Sequence, residues 1–289
     1  MYVLASPCIA DPSLRARGIT TAGDRENFAR ALERCREFGL EVVPLPCPET
    51  LYLGRDREPG PLHSRLDTPE FSSLLDRLEG EVREVIRRRD DAPLCIIGVD
   101  SSPCCGAGWH HFGTVDGKPS RRPGRGAFLS RFPEIRAVDV KDFARYRVYL
   151  AGPLFSEAER AFNRTLRDLL EAHLFRVYLP QEAAEAPGRE PDADGAIYGN
   201  HVAALRDTDM VVAVCDGPDA DSGTAWEMGY ASALGIPMVA LRTDSRRFSA
   251  ERRLNLMLER SASRVLTAPE MLPAALRSPF CNPVDGPGG

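Results

Sequence analysis

Met210 to Cys215 is an unbroken run of Met, Val, Ala and Cys with no polar interruption. Such a run reads as a strand buried on both faces, as inside a parallel sheet. Asp216-Gly217-Pro218 breaks it where a loop leaves the strand's carboxyl end, the usual ligand side of an open α/β sheet. The segment SGTAWEMGYASALG then opens with capping residues, keeps helical spacing and closes on Gly235. Upstream, Val148–Ala151 predicts a strand, and Ser156 caps a helix over Glu157–Glu171 with Glu159 in a capping-box position. Phe175–Leu179 predicts the next strand, Gln181–Tyr198 a Pro-, Gly- and acid-rich loop, and Asn200–Thr208 a helix. Strand Pro237–Leu241 and helices near Leu254–Glu259 and Pro269–Leu276 follow. This alternation predicts a doubly wound, flavodoxin- or Rossmann-like α/β domain.

The first half alternates in the same way. Strands are expected at Tyr2–Ala5, Leu40–Leu45 and Pro93–Val99, and helices at Asp24–Phe38 and Phe71–Arg88. Trp109–Pro133 is rich in Gly, Pro and Arg and reads as a long loop with a short helix. The charged stretch near Phe143–Arg147 marks a boundary, giving domains of residues 1–143 and 144–289. The expected fold class is therefore α/β, with two mostly parallel sheets flanked by helices.

Composition narrows the function classes. With 289 residues, 43% hydrophobic and 27% charged, the chain is long enough for two proper cores. A net charge of −5 argues against a nucleic-acid-coating surface and favours a small substrate. No apolar stretch approaches the ~20 residues of a membrane span. The N-terminus lacks a basic region ahead of its apolar residues, so it reads as a first strand rather than a signal peptide. A cytoplasmic protein is expected, in which eight cysteines are thiols or metal ligands rather than disulfides.

Cys8, Cys47 and Cys105 each lie just beyond the carboxyl end of an expected strand. In a parallel sheet those ends gather on one edge, so three thiols distant in sequence converge. Three thiolates suit a soft metal or an iron–sulfur cluster with one open iron. The spacing alone leaves two readings open, a shared site or ordinary packing of small hydrophobes. Cys35 and Cys95 fall in core positions, Cys215 ends the organising strand, and Cys281 lies in a Pro-rich tail. His110-His111 reads as a solvated pair rather than metal ligands, and Arg121, Arg122 and Arg125 as solvated surface rather than an anion site. Glu227, in the first turns of a helix facing a cleft, is either a solvated first-turn glutamate or a site residue.

Three separated motifs carry a resemblance. Tyr149-Leu150-Ala151-Gly152-Pro153-Leu154-Phe155-Ser156, Asp221 to Ala231 (DSGTAWEMGYA) and Asn255-Leu256-Met257 resemble the nucleoside 2-deoxyribosyltransferase family, over roughly Arg147 to Leu276. The resemblance implies glycosyl transfer at C1′ of a 2′-deoxynucleoside, with no cofactor. Glu227 matches the nucleophile, Tyr149 the residue that orients it, and Asp221 an acid that holds the sugar hydroxyls or the base. Gly152, Phe155, Asp216 and Gly217 are expected to line the substrate. Phe155 and Trp226 offer an apolar wall for the base, although Trp226 is equally compatible with the core. Asn255 and Met257 match residues that reach a neighbouring subunit's site, which implies a homo-oligomer with shared active sites. His201, in Tyr198-Gly199-Asn200-His201, stands where the family carries an aspartate that exchanges a proton with the base. That departure leaves transferase, 2′-deoxynucleoside 5′-phosphate N-hydrolase and a sensing module without turnover as alternatives.

Ser6-Pro7-Cys8, Cys47-Pro48-Glu49 and Ser102-Pro103-Cys104-Cys105-Gly106 resemble the thiouracil desulfidase family, over roughly residues 1 to 140. The resemblance implies a 4Fe-4S cluster on Cys8, Cys47 and Cys105, with sulfur taken up at the unligated iron. Cys104 stands where that family has serine, which makes it a neighbouring or alternative thiol. Together the two resemblances suggest salvage of thiolated nucleosides.

Overall fold

The computed structural model describes residues 1–115, 118–184, 193–246 and 253–277. The chain divides after Arg145 into two compact units.

In the first unit, strands β1 (Tyr2–Ala5), β2 (Glu41–Pro44), β3 (Ile96–Gly98), β4 (Trp109–Val115), β5 (Lys118–Pro123) and β6 (Ala137–Asp139) follow in chain order. A fully parallel sheet has the order β2-β1-β3-β6. Its central β1 is buried at every position, as its apolar run dictates. Helix Ala22–Glu37 starts at a Thr21–Asp24 capping box. Helix Pro69–Arg87 is capped by Thr68 and sends Phe71, Leu75, Leu78 and Val82 into the core at helical spacing.

β4 and β5 form an antiparallel hairpin where the sequence predicted a loop with a short helix; the helix is only one 3-10 turn, Leu129–Arg131. The register sets His110 opposite Arg122 and His111 opposite Arg121, and each arginine reaches diagonally to a neighbouring ring. Arg121 lies 4.4 Å over the Trp109 ring and Arg122 3.8 Å over Phe112. His110 is only 7% exposed and its Nδ1 stands 3.1 Å from the Gly124 carbonyl oxygen, so it is not half of a solvated pair.

In the second unit, β7 (Arg147–Ala151), β8 (Arg176–Tyr178), β9 (Met210–Val214), β10 (Met238–Leu241) and β11 (Arg264–Leu266) pair in parallel in the order β11-β10-β9-β7-β8. Counted within the unit this is 2-1-3-4-5, the flavodoxin-like arrangement, with its switch point between β7 and β9. β9, the run read as buried on both faces, is the middle strand and wholly buried. The expected loop over Gln181–Tyr198 is instead occupied by helix Pro180–Ala184 and by the start of helix Ala193–Asp207. The loop signals in that stretch, Pro187 and Pro191, fall at 185–192, outside the described residues; Leu205, fully buried, anchors the second helix to the core. Among the described residues, no helix is long and apolar enough to cross a membrane.

Candidate functional site

Tyr149 sits on β7 and Glu227 one turn into helix Ser222–Ala233, which follows β9. The switch point brings these neighbouring strand ends together. The Tyr149 hydroxyl donates to Glu227 Oε1 at 2.5 Å. Burial, opposed by that hydrogen bond and assisted by the charge of Asp221, pushes the Glu227 carboxyl up to about 7. Burial and the adjacent Glu227 also hold the Tyr149 phenol in its protonated, donating form. Asp221 caps the Glu227 helix, accepting from Gly223 N at 2.9 Å and Thr224 N at 3.2 Å, both on Oδ2.

The Tyr149 ring stacks on Tyr178 with centroids 5.2 Å apart and planes 19° apart. The Tyr178 hydroxyl lies 3.0 Å from His201 Nδ1. Burial lowers the His201 pKa, favouring neutral imidazole. Glu227, Tyr149, Tyr178 and His201 thus form one contiguous series, in which Tyr178, at the end of β8, escaped sequence reasoning.

Gly152 turns the chain away from β7 under tight constraint. A Cβ there would stand 3.1 Å from Asn163 Oδ1 and 3.2 Å from Val214 Cβ. Asn163, 2% exposed, donates to the Pro153 carbonyl at 2.9 Å and to Gln181 Oε1 at 3.1 Å, fixing the loop from below. Its sequence signal is an asparagine on the same helical face as Leu166 and Leu170, where a solvated residue is not expected. Phe155, at the end of that loop, is 73% exposed.

The remaining expected residues have other partners. Asp216 accepts from Thr243 N and Oγ1, each at 2.6 Å, and from Asp244 N at 3.0 Å, while Gly217 N donates to Asp244 at 2.7 Å. This reciprocal clasp ties the loops after β9 and β10 together. Asn255 caps helix Leu256–Ser261 by accepting from Met257 N at 2.9 Å, and Met257 is 74% exposed. Trp226 is not core: it is 45% exposed and stacks on Tyr230 at 5.1 Å.

In the first unit, Cys8, Cys47 and Cys105 occupy the loops beyond β1, β2 and β3. All three are free thiols. Burial pushes Cys8 up to about 12 and Cys105 well above its ordinary value. A thiolate at Cys47 raises both further, which places the three sulfurs within one another's fields. Among the described residues, no three His, Cys, Asp or Glu side chains stand close enough to hold one metal ion. A four-iron cluster binds one thiolate per iron, and three thiols in loops at one sheet edge are a donor set of that kind. Cys35 and Cys95 are buried in the core, Cys215 packs against Met228, and Cys281 lies outside the described residues.

A part-buried polar network centred on Arg57 ties the three loops together. Ser102 Oγ donates to Glu49 at 3.1 Å and accepts from Cys105 N at 3.0 Å. Arg57, 5% exposed, pairs with Glu49 at 3.5 Å, donates to Thr50 Oγ1 at 3.0 Å and reaches the Leu14 carbonyl at 2.8 Å. Thr50 Oγ1 in turn meets Cys47 Sγ at 3.1 Å. Glycines make room for the third loop: a Cβ at Gly126 would stand 2.5 Å from the Cys104 backbone, and one at Gly98 2.6 Å from the Cys105 carbonyl. Gly126→Ala is therefore expected to cost about 2 kcal/mol or more, through overpacking against backbone that cannot swing aside. Thermal unfolding of the variant checks this; an unchanged melting temperature would contradict it.

Residues 148–261 match the nucleoside 2-deoxyribosyltransferase family. An uncharacterized protein of Methanocaldococcus jannaschii is 33% identical over 80 residues, 27% of this chain and 51% of its own length. The chain thus spans about half the length of the curated relative it matches. Among solved structures, a conserved protein from Enterococcus faecalis V583 is 31% identical, covering 47% of this chain and 97% of that one, with a TM-score of 0.39. A 2-deoxyribosyltransferase from Bacillus psychrosaccharolyticus is 21% identical over 45% of this chain and 95% of that one, with a TM-score of 0.40. A 4Fe-4S-dependent thiouracil desulfidase is 18% identical over 48% of this chain and 89% of that one, with a TM-score of 0.32. The match to the nucleoside 2-deoxyribosyltransferase family thus lies wholly within the second unit.

Proposed function

We propose that the second unit cleaves the N-glycosidic bond of a 2′-deoxynucleoside or its 5′-phosphate through a covalent intermediate on Glu227. The observation that carries this reading is the 2.5 Å bond from Tyr149 to a carboxyl raised to about 7 at the switch point of the sheet. Tyr149 occupies Oε1, so attack on C1′ falls to Oε2. The C1′–N bond breaks with its electron pair on the base, and the C1′–Oε2 ester forms. A second base, or water, then displaces the carboxylate from the vacated face, so configuration is retained. Asp221 holds the helix start and adds negative charge beside an oxocarbenium-like centre. Incubation of a deoxynucleoside and, separately, of its 5′-phosphate, each with and without an acceptor base, tests the reading: a new nucleoside or nucleotide means transfer, free deoxyribose or its 5-phosphate means hydrolysis, and both substrates unchanged in every arm contradicts it.

In the first unit, Cys8, Cys47 and Cys105 would hold a 4Fe-4S cluster, which when bound supplies one iron without a protein ligand as a place for sulfur. Arg57 and Ser102 set the Cys47 and Cys105 loops and hold Glu49 beside them. The two units together would serve salvage of thiolated nucleosides, one acting on sulfur and the other on the glycosidic bond.

Assembly follows from the exposed Leu256 and Met257 beside the Asn255 cap, which suit completion of a second copy's site. Light scattering at assay concentration is expected to give at least a dimer; a fully active monomer would contradict shared sites.

A further inference from the structure

We propose that Tyr178 is a positioning residue whose hydroxyl fixes His201 in the tautomer with its proton on Nε2, so that the departing base meets a hydrogen-bond donor. The inference rests on the glycosidic reading of the Glu227 site and names the group that receives the base.

The geometry carries it. The Tyr178 oxygen lies 3.0 Å from His201 Nδ1, and the two rings meet nearly at right angles, 81°, with centroids 5.9 Å apart. The Tyr178 ring is held in turn by its 19° stack on Tyr149, whose hydroxyl is bound to Glu227. The phenol therefore has little freedom to turn away from the imidazole. Burial and the nearby Glu227 carboxylate both oppose loss of the phenol proton, so the hydroxyl keeps a proton to donate, and the proposal takes Nδ1 as its acceptor. A neutral imidazole that accepts at Nδ1 carries its proton on Nε2. On the other side of the ring His201 thus offers N–H, where an aspartate would offer only acceptor oxygens when ionised.

The consequence is a preference in substrate class. As the C1′–N bond breaks, the electron pair remains on the base nitrogen and charge spreads to the ring's other acceptors. The Nε2–H hydrogen bond strengthens as that charge develops, and the released base takes its proton from water. The site then favours bases that turn a carbonyl oxygen or an unprotonated ring nitrogen toward His201. Because the interaction gains strength only as the bond breaks, it acts on kcat more than on KM.

Two measurements on the full chain test this. Long-range ¹H–¹⁵N correlation spectra of the five histidines, with the His201 signals assigned by their loss in His201→Gln, report the tautomer without any substrate. Wild type should show His201 protonated at Nε2, and Tyr178→Phe should move both nitrogens toward a tautomer average. A wild-type His201 protonated at Nδ1 would overturn the proposal. In kinetics, Tyr178→Phe should lower kcat about tenfold with KM within twofold. In a His201→Gln background, whose amide N–H needs no tautomer control, Tyr178→Phe should lose nothing further. The same tenfold loss in both backgrounds would mean that Tyr178 acts only as structure and would overturn the proposal. Protein that cleaves no deoxynucleoside at all would refute the glycosidic reading instead, while the spectra still decide the tautomer.

Discussion

Glu227→Gln is expected to lose several orders of magnitude in glycosidic cleavage while its fold becomes more resistant to heat above neutral pH. The rate loss follows from removing the oxygen that bonds C1′, since an amide cannot form the glycosyl ester. The stability gain follows from burial. In the folded protein the Glu227 carboxyl titrates at about 7, against an ordinary 4.5. The folded state thus holds the proton more tightly than the unfolded chain. The stabilisation from the neutral form is complete below the ordinary value and disappears as pH rises through about 7. At pH 8 the folded protein therefore carries a destabilisation of about 3 kcal/mol that glutamine, the neutral isostere, does not carry. Near pH 4 the two proteins should melt alike, and at pH 8 the variant should melt several degrees higher. The wild-type rate should rise with pH along a limb near 7, because only the ionised carboxylate attacks. A glutamine variant with near wild-type turnover would remove Glu227 from the nucleophile's role, and a melting difference that ignores pH would remove the raised carboxyl.

The parts of this molecule that could be read in the chain are those set by local repetition. The unbroken Met210–Cys215 run could only be a strand covered on both sides, and it lies at the middle of the second sheet. Ser156 with Glu159, three residues apart, announces a helix start whichever domain surrounds it. The β4–β5 hairpin escaped because its glycines and prolines look like a loop, while the Arg–aromatic pairs that hold it act across strands. The polar supports escaped for a related reason. Glu49 and Ser102 stood in the chain only as neighbours of the motif cysteines and Arg57 carried no signal; only tertiary contact turns them into one part-buried network joining the cysteine loops. Asp216 shows the opposite hazard. Its place beyond a strand's carboxyl end suggested substrate, yet it accepts from three groups of the Thr243–Asp244 loop. Position at a sheet edge puts a carboxylate near the ligand side without deciding what it binds.

Protein purified without oxygen is expected to be brown and to carry about four irons per chain, the complement of a single 4Fe-4S cluster. The expectation has a topological and a chemical leg. The order β2-β1-β3 sets the loops bearing Cys47, Cys8 and Cys105 side by side on one edge. The Glu49–Arg57–Ser102 network and the close approach at Gly98 and Gly126 hold the Cys47 and Cys105 loops in place. Replacing Cys8, Cys47 or Cys105 with Ala should each abolish the iron and the brown absorption. Cys215→Ala, in a core position of the other unit, should leave both intact, so loss of colour cannot be blamed on removing any thiol. Arg57→Met should lower the iron content without touching a ligand, because a part-buried Glu49 without its partner no longer ties the loops together. Cys104→Ala separates the two neighbouring thiols: retained iron assigns the ligand to Cys105, and lost iron moves it to Cys104. Zinc competes for the same sulfurs, but its tetrahedral site needs its ligands gathered on one ion. Stoichiometric zinc without iron would therefore overturn the cluster, and protein free of both metals would leave the three cysteines as packing around a polar network.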